Sequence, residues 1–208
     1  MSKKISEWIT KYAEKNTIVA LKKQFTSAKP YPHLVLSNFF NPKKSVEILK
    51  ALVQEPMEEK EADLFKFMQT KDLVGTNNKI LKEFRAFLCS DEFVSFMEHL
   101  TGLKLKRGVI DMHGTLYQDT DFLLCHDDQL EGRKIAFLFY LSNLKEKDGG
   151  SLNLFNSKNK MPTTVVKKII PQFNTFTFFE VSPVSFHEVE EVITDVQRIA
   201  IGGWFHGD

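Results

Sequence analysis

An α+β fold is predicted, a barrel-like sandwich of short strands braced by N-terminal helices, and two observations predict it. Apolar residues recur at helical spacing through the first half of the 208-residue chain, and from about residue 109 their period shifts toward two. Composition agrees: 42% of residues are apolar and 19 are Phe, against 10 Gly and 7 Pro, which suits one packed core rather than a disordered chain. A single domain over residues 1–208 is expected, with helix-rich support at 1–108 and a β core at about 109–206.

Taken in order, Ile5, Trp8, Ile9 and Tyr12 mark a first helix, and the Pro30 to Pro32 segment breaks the helical pattern. His33 to Phe40 suits a short strand. Asn41-Pro42 fits an N-cap and first helical position, and Val46, Leu49, Leu52 and Val53 supply that helix's apolar face. Ile80, Leu81, Phe84, Phe87 and Leu88 mark another helix. Ser90 caps the next, with Asp91 and Glu92 in its first turn.

Beyond residue 109, Ile110, Met112, Gly114 and Leu116 alternate with Asp111, His113, Thr115 and Tyr117. Phe122, Leu124, His126 and Asp128 are expected on one face of an extended segment. Arg133 to Ser142 suits a buried central strand, and Gly149-Gly150 turns into Ser151 to Phe155. Later strands are expected at Phe173 to Val181, Ser185 to Val189 and Arg198 to Phe205. The segment from Asn156 to Thr164 is polar and is expected to be a loop, a candidate lid.

Net charge is +1, so no global field points to nucleic acid or membrane. The longest strongly apolar stretch, Ile135 to Leu141, is far too short to cross a bilayer as a helix. With an amphipathic start and only Cys89 and Cys125, neither a signal peptide nor a disulfide framework is expected, and a cytoplasmic or nuclear protein is the plain expectation.

The chemistry gathers at His126-Asp127-Asp128. Alternate strand residues face the same way, so His126 and Asp128 can reach one metal while Asp127 points elsewhere. His187, in a later strand, is the candidate third ligand, and His206 and His113 are rivals for that role. His99 and His33 suit packing or surface roles. Two imidazoles and one carboxylate leave further positions on the metal open, an arrangement suited to non-haem iron(II). Arg198 opens the last strand and shares a face with Ala200, Gly202 and Trp204; the small residues leave space beside a guanidinium fork that matches a carboxylate. Tyr117 can add a hydroxyl to the same anion.

These blocks also carry a resemblance. Leu123 to Asp128, Arg133 to Phe137, Gly149 to Leu152, Phe178 to His187 and Gly203 to Gly207 together resemble the iron(II)- and 2-oxoglutarate-dependent ribosomal prolyl-3-hydroxylases, over about residues 30 to 206. The resemblance implies a double-stranded β-helix, a jelly-roll, cupin-like core. It implies that His126, Asp128 and His187 hold the iron and that Arg198, with Tyr117, holds the distal carboxylate of 2-oxoglutarate. Tyr140 matches a further tyrosine near that co-substrate. Dioxygen is the second co-substrate, ascorbate a candidate reductant, and a prolyl residue of the decoding-centre protein of the small ribosomal subunit the implied target. The implied products are the hydroxylated protein, succinate and carbon dioxide. Eukaryotic members of the family carry a second, catalytically silent β-helix domain, which is expected to be absent here because the sequence ends at Asp208. The competing expectations are an oxygenase acting on another peptide, a noncatalytic β-helix binding module and a cupin-like metal enzyme that does not use 2-oxoglutarate.

Overall fold

A computed structural model describes residues 3–12 and 14–208. The elements run α1 (Lys3–Trp8), α2 (Lys15–Ser27), β1 (His33–Ser37), α3 (Pro42–Leu52), β2 (Met57–Ala62), β3 (Phe65–Thr70), α4 (Lys79–Leu88) and α5 (Asp91–Thr101). Then come β4 (Ile110–Tyr117), β5 (Phe122–His126), β6 (Arg133–Tyr140), β7 (Leu152–Lys158), β8 (Met161–Ile169), β9 (Thr175–Glu180), β10 (His187–Val189) and β11 (Arg198–His206).

The strands form one antiparallel sheet in the order β1-β9-β6-β11-β4-β3-β5-β10-β7-β8, with β2 added to β3. It curls into a nearly closed barrel, the double-stranded β-helix. The hinge between its halves is β3, which pairs with β4 at Met68↔Leu116 and with β5 at Phe65↔Leu123.

Period-two alternation decides what each face of the larger half does. Phe137 and Phe139 of β6, Phe176 and Phe178 of β9, and Ile199, Ile201 and Phe205 of β11 face the helices in one apolar cluster. Phe40 sits at its centre, with ring centroids 4.7 Å from Phe139, 5.2 Å from Phe84 and 5.4 Å from Phe176. Burying each such ring contributes about 1.5–3 kcal/mol, so this layer is the main tie between helices and sheet. The alternate residues Ala136, Tyr140, Ala200 and Phe179 turn inward against Leu152 and Leu154 of β7.

The caps form as expected. Asn41 Oδ1 accepts from the N–H of Lys43 at 3.0 Å, and Ser90 Oγ accepts from the N–H of Phe93 at 3.3 Å. Elsewhere the structure corrects the expectations. The first helix ends at Trp8, because Ile9 leaves it to bridge to Phe40. Neither α2 nor the β2–β3 hairpin is predicted by the apolar pattern. Few apolar residues of α2 are buried, and β2 (MEEKEA) carries no alternation, being held by its pairing with β3. On α3, Val46 and Val53 are exposed and the buried face runs through Ser45, Ile48, Ala51 and Leu52. The expected loop from Asn156 to Thr164 is instead the end of the β7–β8 hairpin. Asn159 and Lys160 turn it with φ of 53° and 58°, the conformation a tight two-residue turn requires. Both faces of β8 are largely exposed, so it lacks an apolar period by which to recognise it.

Candidate functional site

The site sits inside the barrel mouth, in a cavity of about 180 Å³ whose lining includes His126, Asp128, His187, Arg198 and Tyr117. Two cross-strand pairs organise it. His187 of β10 lies directly opposite His126 of β5, which brings their ring centroids to 4.2 Å. Arg198 of β11 lies directly opposite Tyr117 of β4. Directly opposed residues in an antiparallel pair point to the same side, so register alone delivers both pairs to the interior.

Asp128 arrives by another route than the one expected. β5 ends at His126, and Asp128 lies beyond it with φ of 63°, in the left-handed region. It therefore does not share a strand face with His126; a turn folds it back over the histidines. Nor is Leu124 on that face. It is exposed, whereas Leu123 lines the cavity, because the β5–β10 register shifts between His187 and Val189. Ser185 Oγ donates to the carbonyl of Asp127 at 2.9 Å, tying this turn to the segment leading into His187. Asp127 itself points away and accepts from the N–H of Gln129 at 3.1 Å.

The three side chains converge. The carboxylate oxygens of Asp128 lie 3.4 Å from His126 Nε2 and 3.4 Å from His187 Nε2. One potential ligand atom from each residue falls within 4.8 Å of the other two. Each imidazole Nδ1 lies 2.8 Å from a backbone carbonyl, of Leu124 for His126 and of Ser185 for His187. A carbonyl only accepts, so Nδ1 carries the proton, and in the neutral ring the Nε2 lone pair faces the shared point. Burial raises the Asp128 pKa, but when the imidazoles are also protonated at Nε2 the charge of His187 and hydrogen bonds from both rings win and hold the carboxyl well below the usual range. For His126, burial favours the neutral ring, and its hydrogen bond and charge interaction with Asp128 outweigh this and raise the pKa. The donor set is thus an ionised carboxylate and two oriented imidazoles, which fits a divalent transition metal such as iron(II).

Arg198 is completely buried. Its Nε–H donates to the carbonyl of Gly150 at 2.8 Å, and its guanidinium carbon lies 4.9 Å from the Tyr117 ring centroid and 5.2 Å from that of Tyr140. Among the described residues, its Nη2 and the Tyr140 hydroxyl have no hydrogen-bond partner. A buried donor left unmade costs about 1–3 kcal/mol, and more when charged, so these groups are suited to an anionic ligand that satisfies them. Tyr140 packs behind the guanidinium rather than among the cavity-lining side chains. Burial raises the Tyr117 pKa, and Arg198 opposes it only in part, so the phenol stays a hydrogen-bond donor. Gly202 lines the cavity, whereas Ala200 is packed in the apolar cluster with Leu152 and Leu154.

The rival histidines lie outside the triad. His206 Nε2 is 3.0 Å from Asp111, and His113 Nε2 is 3.8 Å from Asp72. His33 Nδ1 lies 2.8 Å from the carbonyl of Tyr31, and His99 Nδ1 lies 2.6 Å from that of Ser95. Sequence reasoning missed Trp204 as a partner of the site. Its indole N–H donates to Asp128 Oδ2 at 2.9 Å, and the Arg133 guanidinium carbon stacks 3.4 Å from its ring centroid. Only the alternation of β11, which aims Trp204 the same way as Arg198, hinted at this.

Comparison with known proteins agrees with the geometry. Residues 112–206 match the 2OG-Fe(II) oxygenase superfamily. The chain is 40% identical over 182 residues to prolyl 3-hydroxylase OGFOD1 of Xenopus laevis, covering 86% of this chain and 35% of that protein. It is 37% identical over 195 residues to prolyl 3,4-dihydroxylase OGFOD1 of Ostreococcus tauri, covering 85% and 38%. The chain thus spans little more than a third of the length of these relatives. Among solved structures, a Pseudomonas putida prolyl-4-hydroxylase superposes with a TM-score of 0.73 at 16% identity, covering 92% of this chain and 99% of that one. A Trichoplax adhaerens prolyl hydroxylase, solved with a hypoxia inducible factor peptide fragment, gives 0.72 at 18% identity, covering 92% and 89%. Both likenesses concern the fold. Residues 112–206 thus form a 2OG-Fe(II) oxygenase domain, whose chemistry uses iron(II), 2-oxoglutarate and dioxygen.

Proposed function

We propose that this chain is a prolyl 3-hydroxylase acting on the decoding-centre protein of the small ribosomal subunit, in the cytoplasm or nucleus. The names of the curated relatives support prolyl hydroxylation. The ribosomal target rests on the resemblance of the sequence blocks. The observation that carries the chemistry is the buried guanidinium of Arg198, with Nη2 unpartnered, in the cavity that also holds His126, Asp128 and His187.

In this reading Nε2 of His126, Nε2 of His187 and the carboxylate of Asp128 would hold iron(II) at the cavity. Arg198 would take the distal carboxylate of 2-oxoglutarate in a charge-assisted pair, with Tyr117 as the hydroxyl donor lining the cavity and Tyr140 supporting the guanidinium from behind. Phe67, Leu123, Leu152, Phe179 and Val189 form apolar cavity walls that keep bulk water from the reacting groups. Iron with its co-substrates supplies the oxidation, in which 2-oxoglutarate becomes succinate and carbon dioxide as one oxygen atom is added to the prolyl ring. No residue of the triad acts as a general base; the protein orients, neutralises charge and excludes water.

The test is mass spectrometry of the isolated ribosomal protein after incubation with the chain, Fe(II), 2-oxoglutarate, ascorbate and oxygen. Addition of one oxygen to a prolyl residue, matched by succinate, is expected. Succinate tied to oxidation of a different peptide would replace the target, and no 2-oxoglutarate turnover at all would overturn the reading.

A further inference from the structure

We propose that Trp204 is a positioning residue for the metal-binding carboxylate, its indole N–H fixing Asp128 so that Oδ1 is the oxygen left for a metal. The inference rests on the reading of His126, Asp128 and His187 as the iron site.

Asp128 needs such a partner. It stands beyond the end of β5, in a turn with φ of 63°, so no strand pairing fixes the direction of its side chain. A carboxylate free to rotate can offer a metal either oxygen or both. The Trp204 N–H, 2.9 Å from Oδ2, holds one oxygen and sets the plane of the group. Oδ1, which the indole leaves free, lies 3.4 Å from His126 Nε2, and Oδ2, which accepts from the indole, lies 3.4 Å from His187 Nε2. Indole is a donor without an acceptor, so at this position it orients the ligand without becoming a rival one.

Trp204 is itself held firmly. It lies in β11 between β4 and β6, opposite Asp111 on one side and Ala136 on the other. At the preceding residue, Gly203, a Cβ would come within 1.8 Å of the Asp111 carbonyl oxygen, so the backbones approach more closely there than a side chain permits. One face of the indole is covered by Arg133, whose guanidinium carbon is 3.4 Å from the ring centroid. Arg133 makes no side-chain hydrogen bond among the described residues, and its nearest charge is Asp128 Oδ1 at 3.8 Å. The arrangement is a chain of support in which Arg133 stacks on Trp204, Trp204 donates to Asp128, and Asp128 faces the metal position.

The test is Mn²⁺ affinity of the whole chain without 2-oxoglutarate, read by electron paramagnetic resonance of the free ion. Two variants are used: Trp204→Phe, and replacement of Trp204 by benzothienylalanine, which keeps the bicyclic shape and the stack but lacks the N–H. Partners of metal ligands typically contribute 10–100-fold in metal affinity, so a loss of about tenfold is expected in both. The melting temperature of the metal-free benzothienylalanine variant should stay unchanged. A purely structural role would lower that temperature and leave Mn²⁺ affinity intact, and that result overturns the proposal. If Trp204→Phe does not fold, the isostere decides alone. Failure of the unmodified chain to bind Mn²⁺ overturns the metal site and the positioning role with it, whereas normal binding in both variants overturns the positioning role only.

Discussion

Arg198 provides the sharpest test of how this cavity works, because its removal should change stability little and co-substrate binding greatly. In the free protein its guanidinium is fully buried; its Nε–H donates to Gly150 at 2.8 Å, and Nη2 has no partner among the described residues. Replacing a buried charge by an apolar side chain of similar length is often neutral or stabilising by about 1–4 kcal/mol. Against this stand the lost Gly150 bond, about 1 kcal/mol net, and the lost contacts with the rings of Tyr117 and Tyr140, about 1–2 kcal/mol. Arg198→Met should therefore change the stability of the free chain by no more than about 1–2 kcal/mol in either direction. Binding is different. Removing one partner of a buried charged pair costs about 2–5 kcal/mol, so the 2-oxoglutarate dissociation constant should rise by about 30-fold or more. Arg198→Lys should recover part of this, since an ammonium keeps the charge but not a fork that spans both Gly150 and a carboxylate. Calorimetric titration of 2-oxoglutarate into anaerobic, iron-loaded protein measures the affinity, and urea unfolding measures the stability. Unchanged affinity in Arg198→Met, or a loss of affinity matched by an equal loss of stability, would refute the assignment of this cation to the co-substrate.

Three other outcomes are expected from the same structure. Asp128→Ala and His187→Ala should each bind iron(II) far more weakly and lose 2-oxoglutarate turnover while remaining folded; full turnover in a metal-loaded Asp128→Ala protein, measured as succinate, would reject the carboxylate ligand. Gly203→Ala should unfold the β4–β11 pairing, since its Cβ would lie 1.8 Å from the Asp111 oxygen, whereas Gly202→Ala, whose nearest contact is 3.4 Å, should fold with a smaller cavity; circular dichroism melts of the two distinguish them. Glu98 titrates below its ordinary value, first because its carboxylate accepts the Leu105 N–H and, despite some burial, because Arg107 lies beside it. Its charge therefore stabilises the fold above the unfolded carboxyl pKa, about 4.3, and that contribution disappears as pH falls through the lower folded value. The stability gap between the wild type and Glu98→Gln should be present at neutral pH and close at the acid end of a denaturant series; a gap that persists there would contradict this.

What the sequence made legible divides along one physical line. Elements that bury a regular apolar face announce themselves: α4 with Leu81, Phe84, Phe87 and Leu88, and the strands β4, β6, β9 and β11, whose alternation is fixed by facing helices on one side and cavity on the other. Elements held by pairing or by a turn do not. β2 has no apolar period, β8 is exposed on both faces, and α2 buries too little of its apolar set to stand out. At the site, the residue types of the triad were legible while the path of Asp128 was not. His-x-Asp reads as a strand dipeptide pattern, but the structure ends the strand at His126 and turns the carboxylate back through a left-handed residue. The sequence also left open whether His187, His113 or His206 faced His126. That is a question of register across β5 and β10, and only the pairing His187↔His126 answers it.

The inner face of the barrel concentrates the features that ordinary packing avoids. A guanidinium is buried with one nitrogen unpartnered, a carboxylate occupies left-handed backbone, and two imidazoles face one another at 4.2 Å. Each is unfavourable alone, by about 1–3 kcal/mol for strained backbone or an unsatisfied buried donor. These three line or adjoin a single cavity, across the same strands from the phenylalanine layer in which Phe40 contacts Phe84, Phe139 and Phe176. The two faces are therefore complementary parts of one arrangement. The helix-facing side supplies the apolar burial that keeps β6, β9 and β11 in register. That register holds Arg198 opposite Tyr117 and presents Trp204 to Asp128, so groups that would prefer other conformations stay where a metal and an anion can satisfy them. Helices that contribute no residue to the site are in this sense part of its positioning: weakening the Phe40 cluster should loosen β11 before it exposes the cavity.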